Sequence, residues 1–336
     1  MRKAAGIASA VWLGFVILHH LLTGRFWLWL IPDLIPPALY LAVPLTLLAV
    51  AGCRGRAALL AAGSLVLGAT HGGLNPAALI APGGPPPPGA VRVFSWNTEY
   101  WHQDDDPRAF YRFLTDQRAD VYVLQEYLNW VGDRPREVAD LAALRREFPG
   151  YHVAAAGELV TLSRFPVVAA RPVVDPGGPS WQAAFDLAKI LRTDLRIGAS
   201  TLSVYNVHIP AQYVLNENPF TASFHTELRS RGERRDAQFG ALLADLAANP
   251  SAALVSGDFN STGAMGELRP LFDRLTSANT ANRSIYPTSW YAGVLPLWQL
   301  DWTFTRGLNV HTSELRDPRG LSDHRAQSLT ISVGRM

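Results

Sequence analysis

Ser256-Gly257-Asp258-Phe259-Asn260 follows the apolar run Ala252-Ala253-Leu254-Val255. Read as a strand and its end, this stretch sets Asp258 and Asn260 two positions apart, where a carboxylate and an amide point to one side and share a polar centre. The pattern recurs along the chain. Upstream stand Ser95-Trp96-Asn97-Thr98-Glu99, Val123-Leu124-Gln125-Glu126 and Asn206-Val207-His208; downstream stand Leu300-Asp301-Trp302-Thr303-Phe304 and Leu321-Ser322-Asp323-His324. Each of these six polar islands ends or follows an apolar run, so together they read as one site assembled from many strand ends.

The rest of the chain is uneven. Of its 336 residues, the first 90 carry five of the thirty basic side chains but a single acid, Asp33. The remainder therefore has a formal charge of −2, and the basic isoelectric point is no argument for a nucleic-acid footprint on it. Lys3 and Lys189 are the only lysines, so cationic roles fall to arginine, which a codon bias explains better than selection does. The one cysteine, Cys53, excludes a disulfide framework or a thiolate metal site.

Three apolar segments, 4–22, 34–51 and 57–74, each approach the roughly 20 residues that a bilayer-spanning helix needs. A cleaved leader explains only the first. Pro44 is expected to kink the second, and Phe26-Trp27-Leu28-Trp29 reads as an aromatic interface belt. Arg2 and Lys3 before the first segment, and Arg54 and Arg56 before the third, outnumber Arg25 in the other loop. The N-terminus is thus expected inside and everything after the third crossing outside the cytoplasmic membrane. Without a third crossing the rest would be cytoplasmic. His19-His20 is expected to pack between helices or near the interface. Residues 1–75 are accordingly read as a membrane region and 76–90, with its four consecutive prolines, as a short stiff linker. Residues 91–336, which hold the polar islands, are read as one further domain.

Within 91–336 the rhythm alternates strands with helices or loops. Strands are expected at 91–96, 120–124 and 202–207, and helices at 107–116 and 227–246. The Asp104-Asp105-Asp106 run reads as a solvated helix start. Arg229, Arg231, Arg234 and Arg235 suit either a solvated helix face or phosphate contacts.

The islands, in this order from about residue 91 to 333, resemble the endonuclease/exonuclease/phosphatase superfamily, whose members include deoxyribonuclease I, exonuclease III, neutral sphingomyelinases and inositol polyphosphate 5-phosphatases. The resemblance implies an α+β fold, a four-layer α/β/β/α sandwich of two packed mixed sheets, here preceded by three transmembrane helices. It also implies hydrolysis of a phosphate ester by water with a divalent cation, Mg2+ or alternatively Mn2+. Glu126 matches the family's principal metal ligand; Asn97, Glu99 and Asp323 match positions beside the metal. Asp258 and Asn260 match the pair that activates water and holds the phosphate, and Asp301 with His324 matches a His–Asp dyad. His208 matches a histidine that donates to the phosphoryl or leaving oxygen, with Asn206 taken as its partner. Arg164, in Leu162-Ser163-Arg164-Phe165-Pro166, fits a structural turn that can reach the site. Trp302 stands where members carry other residues after the Asp, and Arg325 where they usually place Pro.

The implied activity is a membrane-anchored phosphoesterase, nuclease-like first and directed at phospholipid or inositol phosphate second. Trp290, Tyr291 and Trp298 suit base stacking, lipid insertion or core packing. The implied partners are the lipid bilayer and a phosphoester substrate; no protein partner is inferable. A receptor that kept the fold without catalysis would have lost some acidic or histidine positions, and here all are filled.

Overall fold

The computed structural model describes residues 2–52, 54–80, 85–101, 107–132, 134–138, 140–212, 217–293 and 295–334. Cys53, the Asp104-Asp105-Asp106 run and residues 81–84 of the expected linker lie outside them.

The N-terminal region holds helices α1 (Arg2–Leu22), α2 (Leu30–Asp33), α3 (Leu39–Ala51) and α4 (Gly55–Gly68). Only α1, among the described residues, is long and apolar enough to cross a membrane. Helix α3 begins after Pro36-Pro37, and α4 stops ahead of Gly72-Gly73, so both are shorter than their apolar runs. At 13 and 14 residues they reach about 20 Å, against a hydrocarbon core of about 30 Å. α1 packs against α3 and α4, while Ile7, Val11, Leu45, Val50, Leu59 and Val66 remain exposed on the outside of the bundle.

Two six-stranded mixed sheets follow. In chain order the strands are β1 (Val91–Asn97), β2 (Val121–Gln125), β3 (Leu128–Val131), β4 (Arg134–Glu137), β5 (His152–Ala156), β6 (Leu159–Ser163), β7 (Val167–Pro172) and β8 (Ile190–Ile197). They continue with β9 (Ser200–His208), β10 (Ala252–Asp258), β11 (Thr276–Ser277), β12 (Trp290–Ala292), β13 (Leu295–Trp298), β14 (Asp301–Arg306), β15 (Leu308–Arg316) and β16 (Ala326–Val333). The first sheet runs β15-β16-β1-β2-β6-β5 and the second β11-β14-β10-β9-β8-β7; β3-β4 and β12-β13 are separate hairpins.

Alternation of side chains across the strands builds three layers of core. Val91, Val93, Val121 and Val123 of the first sheet meet Leu202, Val204 and Leu254 of the second, closing the two sheets face to face. The outer face of the first sheet packs Trp96, Tyr122 and Leu124 under α5 (Pro107–Asp116) and α6 (Leu141–Glu147). The outer face of the second packs Tyr205, Val255 and Phe304 under α8 (Ala222–Ala248) and α9 (Arg269–Arg274); α7 (Trp181–Leu187) lies beside β5. This is the expected α+β sandwich.

The N-terminal helices dock onto the sandwich. His19 Nε2 donates to Ala264 O at 2.8 Å, Gly266 N donates to Thr23 Oγ1 at 2.8 Å, and Trp298 Nε1 donates to Leu34 O at 3.0 Å. Asn75 Nδ2 bonds the carbonyls of Asn279, Asn282 and Ser284. Trp27 and Leu28 of the expected aromatic belt pack against Phe224 and Leu228 of α8. His19 and His20 are packed side chains as expected, with His20 Nε2 on Leu67 O at 2.9 Å.

Candidate active site

The sheets bring the polar islands together because their parallel strands end at one edge. Asn97 pairs in register with Gln125, and Asp258 pairs with both His208 and Asp301. Gly257 is required beside this edge: its φ is +144°, and a Cβ there would lie 2.0 Å from Val207 O. Glu99, Tyr100, Glu126 and Asn260 also have positive φ, four of the six such non-glycine residues described. Left-handed backbone at a side-chain-bearing residue is costly and persists where surrounding structure enforces it, as it does at functional sites.

Asp258 Oδ2 is the hub. It accepts from Asn97 Nδ2 at 3.0 Å and Asn260 Nδ2 at 3.1 Å, and lies 3.7 Å from His208 Nε2 and 3.8 Å from His324 Nε2. Asp258 Oδ1 accepts from Asn260 N at 2.7 Å. Burial raises the Asp258 carboxyl above the ordinary aspartate value; His324 opposes that rise and Asp301 adds to it.

His324 Nδ1 lies 2.8 Å from Asp301 Oδ2, so the dyad is formed and Nε2 is left facing Asp258. Burial disfavours the charged ring, yet Asp301 and Asp258 together hold its pKa well above 6.5. Ser322 fixes the local turn by donating to Asn97 O and accepting from His324 N. The departure at Arg325 also has a reason: its N–H donates to Ser289 O at 2.6 Å, a bond that Pro cannot make.

Glu126 sits immediately past β2. Its Oε1 accepts from Asn97 Nδ2 at 3.0 Å and its Oε2 from Tyr100 N at 3.1 Å. Burial raises its pKa, against the pull of His208. Glu99 and Asp323 are joined beside it, since Asp323 N donates to Glu99 Oε2 at 2.7 Å. Asn97 presents its amide nitrogen to both central carboxylates while its Oδ1 accepts from Glu99 N, so it orients acids here. All nine expected site residues thus belong to one connected cluster.

Two readings are corrected. Asn206 does not partner His208; it is fully buried between the sheets, accepting from Gln125 Nε2 and donating to Leu124 O and Val160 O. Arg164 does not reach the site: it bonds Tyr151 and Asp120, at the opposite end of β2 from Glu126. Trp290 is held on the site rim, donating to Asp323 Oδ2 at 2.7 Å, and Trp298 is engaged by Leu34.

The partner of His208 is Glu158, which the sequence reading missed. Glu158 Oε1 lies 3.2 Å from His208 Nδ1 and 2.5 Å from Lys189 Nζ, and the residue is 2 % exposed. Burial alone would raise its pKa, but Lys189 and then His208 bring it down to about 2. Burial likewise disfavours charge on His208, and Glu158, Asp258 and Glu126 raise it to about 9. A charged Glu opening the apolar strand Leu159–Ser163 was the available signal.

Hard-oxygen donors suit a divalent cation. Asp258, Asp301 and His324 also come within 4.8 Å of one another, but Asp301 and His324 are committed to each other, and a cation between them would break the dyad. The carboxylates of Glu126, Glu99 and Asp323 lie outside that dyad, but they do not gather within the same distance of one another.

The family model described as endonuclease/exonuclease/phosphatase matches residues 94–324, the span that holds every one of these residues. A search of curated proteins returns no match. Among solved structures, the family protein from Leptotrichia buccalis C-1013-b is similar at TM-score 0.50 and 13 % identity, covering 72 % of this chain and 100 % of its own. The one from Bacteroides vulgatus is similar at TM-score 0.50 and 15 % identity, covering 73 % and 99 %. At such identities the structural likeness speaks for the fold alone, whereas the family match spans well over half the sequence and contains the assembled site. The chain therefore belongs to the endonuclease/exonuclease/phosphatase family, whose members are metal-dependent phosphoester hydrolases.

Proposed function

We propose that the chain is a membrane-anchored, Mg2+-dependent phosphodiesterase of nuclease type, with its catalytic domain on the extracytoplasmic side. The observation that carries the chemistry is Asp258 Oδ2 placed between the Nε2 atoms of His208 and His324. A tetrahedral phosphate seated there meets two imidazolium donors and the amides of Asn97 and Asn260. Asp258 accepts a proton from the attacking water, its raised pKa matching that task. His324, held by Asp301, stabilises charge on the phosphoryl oxygens, and His208 donates to the leaving oxygen. Glu126, Glu99 and Asp323 would hold Mg2+, which supplies neutralisation of the phosphate charge.

A nucleic-acid strand finds aromatic and basic groups at the rim. Tyr100, next to Glu99, packs edge-on to Trp130 with ring centroids 5.9 Å apart, and Trp130 is 42 % exposed on the hairpin that also carries Arg134 and Arg136. Exposed aromatics of this kind stack on bases. A specific observation supports a lipid-directed reading as well: Trp290 binds Asp323 and its hairpin partner Trp298 binds Leu34, tying the site rim to the membrane region.

The membrane placement is supported by how the helices dock. The C-terminal end of α1, the segment after α4 at Asn75 and the segment before α3 at Leu34 meet the catalytic domain, so the turn carrying Arg54 and Arg56 lies at the far end of the bundle with Arg2 and Lys3. That sets the basic residues together at one end of the bundle, as the positive-inside rule asks, with α1 alone among the described helices long enough to cross. Purified full-length chain with Mg2+, offered DNA, RNA, phospholipid vesicles and inositol phosphates in parallel, tests the reading. Turnover of DNA or RNA supports it, and turnover of phospholipid alone replaces it with the lipid-directed reading.

A further inference from the structure

We propose that Lys189 is a positioning residue for the hydrolysis: it clamps Glu158 against His208, and so keeps His208 Nε2 aimed at the carboxylates of Asp258 and Glu126. In a chain with 28 arginines, Lys189 is the one lysine outside the N-terminal tail, and it is only 8 % exposed. It reaches His208 by two routes. Its backbone carbonyl accepts from His208 N at 2.9 Å, and its Nζ bonds the Glu158 oxygen that faces His208 Nδ1. The ring is therefore fixed at its base and at the nitrogen remote from the phosphate position.

The surroundings are built to keep water off this pair. Lys189 Nζ lies over the Phe185 ring at 4.0 Å from its centroid. Trp181 Nε1 donates to Gly157 O at 3.0 Å, pressing α7 onto the hairpin that presents Glu158. Gly157 has φ +56°, and a Cβ there would lie 2.9 Å from the Ala184 backbone, so this contact tolerates no side chain. On the far side of the hairpin, Tyr127 N donates to Glu158 O at 2.9 Å, tying Glu158 to the residue after Glu126.

A buried ion pair is a poor device for stability alone, since desolvation of two charges offsets their attraction and apolar side chains fill such space as well. Here the carboxylate has a second task. One Glu158 oxygen serves both Lys189 and His208, so without the ammonium the carboxylate is left, among the described residues, to His208 alone.

The test is a double-mutant cycle on full-length chain in detergent with Mg2+, following hydrolysis of bis-p-nitrophenyl phosphate and melting temperature together. Lys189→Met is expected to lower kcat by about tenfold or more, in the range general acid–base groups contribute, with KM changed less than about threefold. In the His208→Ala background the same substitution is expected to change kcat by less than about twofold, because residues acting as one unit are non-additive. A purely structural lysine would cost both backgrounds alike, and an equal loss in the two would overturn the proposal, as would wild-type kcat in a folded Lys189→Met chain. Lys189→Met/Glu158→Gln leaves no charge unpaired and guards against misfolding of the single variant. It is expected to match Glu158→Gln in kcat, and a further loss of tenfold relative to Glu158→Gln would contradict the clamp.

Discussion

Asp258 can serve as a base because its environment raises its affinity for a proton while two histidines keep the ion accessible. Those histidines stay cationic because each has a carboxylate behind it, Asp301 for His324 and Glu158 for His208. Asp301→Asn keeps the shape but not the charge, so turnover is expected to fall by orders of magnitude. Asp301→Asn/His324→Ala should then be little worse than His324→Ala alone, and multiplicative losses in steady-state kinetics would show two independent residues. The His208 shift carries a sign. Its folded pKa of about 9 lies above the unfolded value of 6.5, so its contribution to stability is present below about pH 6.5 and lost as pH rises through about 9. In EDTA, the melting-temperature gap between wild type and His208→Asn is expected to narrow over that window; a gap that widens there contradicts the assignment. The acids and histidines of the site were legible in the sequence because charge at the end of an apolar run has few structural explanations. Glu158 was not, because Gly157-Glu158 reads as an ordinary turn and its partners are 31 and 50 residues away.

Strands and helices were readable wherever burial imposed a period. Helix α5 was expected at its observed bounds, and β1, β2, β9 and α8 differ from expectation by a few terminal residues. Short elements set by tertiary contact, such as α7 and the hairpins β3-β4 and β12-β13, leave no such period. The apolar runs of the N-terminal region gave α1 well, but their residual length beyond α3 and α4 is spent in turns that touch the catalytic domain. Glycine sets one of those contacts: a Cβ at Gly266 would lie 2.3 Å from Thr23 O. Gly266→Ala is therefore expected to lift the end of α1 from the loop after Asn260, at a cost of about 1–3 kcal/mol. Thermal unfolding of the full chain reads this, and an unchanged melting temperature would show that the contact is not tight.

The N-terminal helices and the sandwich form one docked molecule, and the bonds at Ala264 and Gly266 fall within six residues of Asn260. Whether the chain sits across the membrane as proposed is read by a reporter active only outside the cytoplasm. Fused after Met336 it should be active and fused at Gly55 inactive; inactivity at both would mean an even number of crossings. Metal-dependent hydrolysis at the assembled strand ends is the central proposal. Turnover of phosphodiester by the full-length chain in nanodiscs, titrated with Mg2+ for wild type and Glu126→Gln, tests it most directly. Mg2+-dependent turnover is expected in the wild type, with a loss of at least about 10²-fold in a Glu126→Gln chain of unchanged melting temperature. Wild-type turnover by Glu126→Gln at the same Mg2+ concentrations would contradict it.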